Sequence, residues 1–239
     1  MSAPTSSAAS KQVSSASMAD PRSVPARVLK RAFDLAGAAL LTMLTAPLLA
    51  LACIAIRIES RGSPIYRQRR VGKGNRQFDL YKLRTMVSGA EQMGAGLVVD
   101  EGDPRITRVG AALRRFSLDE LPNLFNVLIG DMSLVGPRPT VRVQVAQYSE
   151  RQLQRLAVEP GITGWAQVRG RAALPWHDRI ELDLWYIQNW SIWLDVRILA
   201  STARLLLTGK GLYRGRTGGW RPEADPDRRR TKRPREPSR

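Results

Sequence analysis

The sequence predicts an α+β protein in two parts. One is a long apolar helix that enters a membrane. The other is a small, mostly helical domain with a β-hairpin and amphipathic helices lying at the membrane interface. Three observations carry this. Residues 35–56, LAGAALLTMLTAPLLALACIAI, contain no charge. Residues 63–86, SPIYRQRRVGKGNRQFDLYKLRTM, place turn residues between two runs of strand formers. Farther on, ITRVGAALRRFS and IWLDVRILASTARLLL repeat apolar residues at helical spacing.

Composition narrows the chemistry. The chain has 239 residues, a formal net charge of +17 and a pI near 11.2, with basic residues concentrated toward both ends. Such a charge fits nucleic acid or an anionic membrane surface. No helix-turn-helix, zinc-finger or RNP-like pattern accompanies it, so no nucleic-acid partner is expected. A single cysteine, Cys53, and a single histidine, His177, exclude an intramolecular disulfide and a Cys/His zinc cluster. They also leave little room for a His-dependent nucleophile. Carboxylates, lysines and arginines must carry any chemistry.

Taken in order, the Ser- and Ala-rich residues 1–27 are expected to be unstructured. Residues 28–61 hold the apolar helix, which is long enough to span a bilayer. Pro47, after Ala46, sits at its middle, where the missing N–H favours a bend. Arg27, Lys30 and Arg31 precede the run and Arg57 and Arg61 follow it, so flanking charge gives no orientation. A straight span and a helix that bends and returns to the same face both satisfy the length. In the hairpin, GKGN makes the turn, and Phe78, Leu80, Lys82 and Arg84 share one face by the period of two. Gly72 and Gly74 lack the spacing of a phosphate-binding loop.

The acidic connection that follows contains DEGD, Asp100 to Asp103, a candidate metal motif of the kind found in nucleotide-sugar enzymes. Residues 141–156 predict one polar helix, and EPGITGWAQVRGR predicts turns around a short strand. Trp176, Trp185, Trp190 and Trp193 cluster beside the last amphipathic helix, as expected at headgroup level. The Pro- and Arg-rich residues 214–239 predict an unstructured basic tail suited to an anionic leaflet.

The stretch SLDELPNLFNVLIGDMSLVGPRP, residues 117–139, is the most informative. Ser117 with Glu120 fits a capping box. A helix capped there, however, would put Pro122 at its fifth position, where the ring crowds a carbonyl. A helix starting at Pro122 avoids the conflict and leaves Asp119 and Glu120 just ahead of its N-terminus. Anions and phosphate favour that position. One acid could hold Mg²⁺ while its neighbour attacks phosphorus. Arg138, aimed by Pro137 and Pro139, matches phosphate oxygens, and Lys82, Arg84 and Arg114 are further candidates.

YKLRTM, LRRFSLDELPNLFNVLIGDMSLVGPRP and PGITGWAQVRGR together resemble the signature blocks of the bacterial sugar transferases, the monotopic phosphoglycosyl transferases. The resemblance runs in order from Lys30 to Tyr213. It implies transfer of a phospho-sugar from a UDP-sugar to a polyprenyl phosphate at the cytoplasmic face of the bacterial inner membrane, with release of UMP. It implies a catalytic domain at residues 62–213 and a re-entrant membrane helix bent at Ala46–Pro47. By the same resemblance Asp119 is the nucleophile and Glu120 helps hold Mg²⁺. Lys82, Arg114 and Arg138 bind phosphate, and the chain is the short form without extra N-terminal helices. Three positions depart from the pattern: Ala46 for serine at the bend, Asn123 for glutamine, and Arg169 for asparagine. Two rival expectations remain. One is a non-catalytic basic protein that binds anionic lipid or a partner. The other is a metal-dependent glycosyl transferase that uses DEGD and releases UDP. Oligomeric state is not legible in the sequence.

Overall fold

A computed structural model describes residues 19–90, 93, 103–170 and 174–208. The predicted tail at 214–239, most of the N-terminal segment and Asp100 to Gly102 of DEGD lie outside the described residues. The architecture is α+β, as expected. Helix α1, Val24–Glu59, has Pro25 in its first turn and continues through Pro47. It therefore begins inside the segment read as unstructured. It is long and apolar enough to cross a membrane. Leu40, Met43, Leu44, Leu51 and Ile54 are exposed along it. Thr45, two residues before Pro47, donates its hydroxyl to the Leu41 carbonyl at 2.7 Å. Such back-bonding to the preceding turn bends helices.

Strands β1, Ile65–Val71, and β2, Gln77–Leu83, form the predicted antiparallel hairpin, with Ile65 opposite Leu83. Phe78 and Leu80 enter the main core, whereas Leu83, of opposite parity, joins Ala52 and Ile56 of α1 and Leu113. The hairpin thus packs on both faces. Helix α2, Arg108–Arg115, and helix α3, Asn123–Ile129, follow. Strand β3, Ser133–Val135, pairs in parallel with β4, Gly161–Thr163. A Cβ on Gly161 would collide with the Gly136 backbone, so the pair can approach this closely only without one.

The single helix read over 141–156 is a correction. The chain instead forms α4, Arg142–Val145, then α5, Glu150–Leu153, then a 3₁₀ turn at Gln154–Leu156. Ser149 starts the second piece, accepting from the Gln152 N–H while the Gln152 side chain bonds back to it. A local cap interrupts the polar run where periodicity alone would continue it.

Helices α6, Trp165–Arg169, α7, Trp176–Gln188, and α8, Ile192–Thr208, complete the domain. Ile180, Asp183, Leu184 and Ile187 give α7 one buried face. In α8, Leu194, Asp195 and Ile198 are buried while Trp193 is 75% exposed, so the helix is amphipathic as expected. The tryptophans divide. Trp185 and Trp193 are exposed. Trp165 is buried, Trp176 packs near Tyr148, and the Trp190 indole donates to Asp195.

Both ends of α1 are fastened to this domain. Near its start, Lys30 lies between Asp34 at 2.9 Å and Asp195 at 2.7 Å, all three at 4% exposure or less. Asp34 accepts the Leu134 N–H of β3, and the Tyr186 hydroxyl donates to Asp195 at 2.7 Å. Arg31 donates to the Val127 and Leu128 carbonyls at the end of α3. At the far end, Glu59 accepts the Arg108 and Val109 N–H groups that open α2. Helix starts carry unpaired donors and partial positive charge, so a carboxylate suits the place.

Candidate active site

Asp119 and Glu120 sit in a 3₁₀ turn, Leu118–Glu120, immediately before α3. Ser117 makes no capping bond. It takes left-handed dihedrals, φ 53°, a strained choice for a residue with a side chain. Pro122 is the N-cap of α3. The capping-box alternative fails, but not for the reason expected: Leu121 and Pro122 both keep right-handed helical dihedrals, and it is the left-handed Ser117 that removes the cap.

The turn is held from three sides. Leu118 packs against the cluster of Ala52, Ile56, Leu83 and Leu113, so the acid turn shares an apolar cluster with the C-terminal half of α1. Asn126 of α3, fully buried, accepts the Tyr81 N–H at 3.2 Å and donates to the Asp79 carbonyl at 2.7 Å. It completes the hydrogen bonding of β2 and fixes Lys82 relative to the turn. Gly110 of α2 lies so near the Thr85 carbonyl that a Cβ would collide with it. This close approach lets Arg114 reach back to Thr85 Oγ1 at 2.7 Å.

Lys82, Arg114 and Arg138 converge on the two acids, and Arg84 does not. Lys82 Nζ donates to Glu120 Oε1 at 3.0 Å, and Arg138 donates to the same oxygen at 2.6 Å. Arg84 instead donates to the Ser60 and Arg61 carbonyls and to Ser60 Oγ, closing the C-terminus of α1. It shares a strand face with Lys82, but it lies beyond the end of β2, where the chain turns toward α1. In DEGD, Asp103 is taken up by Arg105, through Nε at 2.9 Å and a terminal nitrogen at 2.6 Å. Arg169 lies over the Trp165 ring at 4.2 Å, and Trp165 stacks on Trp185 at 5.2 Å.

Electrostatics separates the acids. Burial pushes the Asp119 carboxyl above its usual range and the Glu120 charge adds to this, against Lys82, Arg114 and Arg138. Burial also opposes ionisation of Glu120. There, however, the charges and hydrogen bonds of Arg138 and Lys82 outweigh it and hold Glu120 well below the usual carboxylate range. No hydrogen bond from a described residue reaches Asp119. The outcome is one permanently ionised, engaged carboxylate and one more basic, unengaged carboxylate, a division of labour that suits catalysis.

Mg²⁺ that works with phosphate is commonly held by one or two carboxylates, with water and phosphate completing its sphere. Asp119 and Glu120 fit that donor set. The hydrogen bonds from described residues to the Glu120 carboxylate both land on Oε1, and none lands on Oε2. Among the described residues no group of three or more His, Cys, Asp or Glu assembles.

Sequence reading missed Asn126, Thr85 and Arg155. Arg155 is buried and donates to Asp183, to Tyr148 and to the Arg138 carbonyl. Its only signal was a charge within a polar run that was expected to be a solvated helix.

Comparison with known proteins gives a consistent picture. Residues 25–209 match the family model described as bacterial sugar transferase. The chain is 44% identical over 186 residues to the uncharacterized sugar transferase EpsL of Bacillus subtilis, covering 77% of this chain and 90% of that protein. It is 46% identical over 193 residues to the UDP-glucose:undecaprenyl-phosphate glucose-1-phosphate transferase of Caulobacter vibrioides, covering 77% and 72%. It is also 46% identical over 189 residues to the UDP-N-acetylgalactosamine-undecaprenyl-phosphate N-acetylgalactosaminephosphotransferase of Aeromonas hydrophila, but there the match covers only 44% of the relative.

Proposed function

Because the chain belongs to the bacterial sugar transferase family, we propose that it transfers a sugar phosphate from a UDP-sugar to a polyprenyl phosphate in two steps through Asp119. The observation that carries this reading is the contrast within the acid pair, Asp119 unengaged and raised, Glu120 gripped by Lys82 and Arg138.

In the first step an Asp119 carboxylate oxygen attacks the β-phosphorus of the donor. The bond from that phosphorus to the bridging oxygen breaks, and the electron pair leaves with UMP. In the second step an oxygen of the lipid phosphate attacks the same phosphorus. The Asp119–phosphorus bond breaks, which regenerates the carboxylate and yields polyprenyl diphosphate-sugar. Lys82, Arg114 and Arg138 place three cations against two carboxylates, a surplus that favours the incoming pyrophosphate. Asp119 and Glu120 would hold Mg²⁺, which when bound would supply further charge neutralisation on the phosphate oxygens.

The placement of α1 supports a re-entrant arrangement at the cytoplasmic face of the inner membrane. Both of its ends are tied to one domain, through Lys30 and Arg31 at the start and Glu59 at the finish. The basic residues on both flanks then stay on one side, as charge requires. The exposed apolar middle dips into the leaflet and sets the acid turn at headgroup depth. The relatives' names carry glucose, galactose and N-acetylgalactosamine at 38–46% identity. Similarity of this degree therefore does not select the sugar.

Two measurements test this. Protein in bilayer discs, given polyprenyl phosphate and a panel of UDP-sugars, is expected to release UMP. Release of UDP instead would favour the glycosyl-transferase chemistry and overturn the proposal. The acid limb of the kcat/KM profile is expected above the ordinary aspartate range of about 4, because Asp119 must be ionised to attack and its folded pKa is raised. Arg114 lowers that pKa, so Arg114→Gln is expected to move the limb to higher pH. A limb that stays in place or moves down would contradict the assignment.

A further inference from the structure

We propose that Arg155 is a positioning residue whose buried guanidinium holds the backbone of Arg138, and thereby aims the Arg138 side chain at Glu120 and the donor phosphates. The proposal rests on the two-step reading of the same site.

The turn that carries Arg138 lies between Pro137 and Pro139, which have no N–H to donate. It is anchored through its carbonyls. Gly161 N–H takes the Pro137 carbonyl at 2.8 Å, and Val71 N–H takes that of Thr140 at 2.8 Å. The Arg138 carbonyl between them is taken by Arg155 at 2.9 Å. Two of the three anchors are main-chain groups of a parallel strand and a hairpin. The third is a charged side chain, 5% exposed, from a different part of the fold.

Arg155 donates in three directions at once. Nε meets Asp183 of α7 at 2.6 Å, one terminal nitrogen meets the Tyr148 hydroxyl at 2.7 Å, and the other meets the Arg138 carbonyl. A planar, always-charged fork can do this, whereas a lysine ammonium on a flexible stem cannot hold the same three directions. Stability alone does not call for such an arrangement, since a well-packed apolar pair is commonly as stable as a buried ion pair. What an apolar pair lacks is a donor for the Arg138 carbonyl. Arg138 itself is 49% exposed at its side chain, so its grip on Glu120 depends on where its backbone is held.

A double-variant cycle tests this. Wild type, Arg155→Lys, Arg138→Lys and the double variant are prepared as full chains in bilayer discs. Their probe is whichever of UDP-glucose, UDP-galactose and UDP-N-acetylgalactosamine gives most UMP with wild type. The readouts are the rate of Asp119 labelling at saturating donor and the thermal midpoint. Arg155→Lys is expected to slow labelling about tenfold, and the double variant to be no slower than Arg138→Lys. Independent effects that multiply, or an Arg155→Lys rate equal to wild type, would overturn the proposal while leaving the two-step reading intact. Absence of label in wild type would overturn both. Should Arg155→Lys not fold, Arg155→Met with Asp183→Leu removes both charges and keeps the packing. The same non-multiplying result with Arg138→Lys is then expected, and multiplying effects would count against the proposal.

Discussion

Asp119→Asn is expected to abolish UMP release, by a factor of about 10³ or more, while the protein stays folded and bound to membranes. The amide has the shape of the carboxylate but cannot attack phosphorus. Its stability should equal or exceed that of wild type, and the sign follows from the environment. Burial and Glu120 raise the Asp119 pKa, so the ionised form is disfavoured in the fold at neutral pH. Removing that charge relieves the fold, a trade between stability and activity common at active sites. Thermal midpoints and flotation with vesicles provide the control. A non-catalytic lipid-binding protein would release no UMP with or without the substitution; a variant that retains wild-type turnover would remove Asp119 from the mechanism.

Lys30→Met is expected to be the most destabilising of the single changes considered, at about 3–5 kcal/mol. Among the described residues Lys30 is the one cation that bridges Asp34 and Asp195, and Asp195 has no exposed surface. Methionine fills much of the same volume but leaves two buried carboxylates facing each other. The base of α1 would then lose its seat on β3 and α8. A thermal melt in detergent reads the loss directly. Arg151→Ala, at the exposed pair with Glu181, is the matched control and should leave the midpoint unmoved. Equal effects of the two substitutions would mean that the Lys30 cluster is not what seats the helix.

Some of this organisation could be read from the sequence because it is local. The hairpin rests on GKGN between two alternating runs, and it forms where expected. The start of α3 at Pro122 was legible because proline, lacking an N–H, suits a helix's first positions, although Leu121 before it keeps helical dihedrals. Neither β3 nor β4 was legible as one of a parallel pair, since three-residue strands show no period. The ion clusters were less legible still. Lys30 and Asp195 lie at opposite ends of the domain in sequence, and each alone reads as an ordinary surface charge. Arg84 shows the converse. Its parity with Lys82 placed it at the site, but the turn after β2 directs it to Ser60. Periodicity assigns a face within an element and loses authority one residue past its end.

The most direct test of the account is whether Asp119 becomes covalently loaded. Wild type in bilayer discs with Mg²⁺ and the active UDP-sugar, without lipid acceptor, is digested and its peptides weighed. The account predicts a sugar-phosphate adduct on Asp119 that disappears when polyprenyl phosphate is added. Turnover to UMP with no adduct on Asp119 at any time point, or an adduct on another residue, would contradict it.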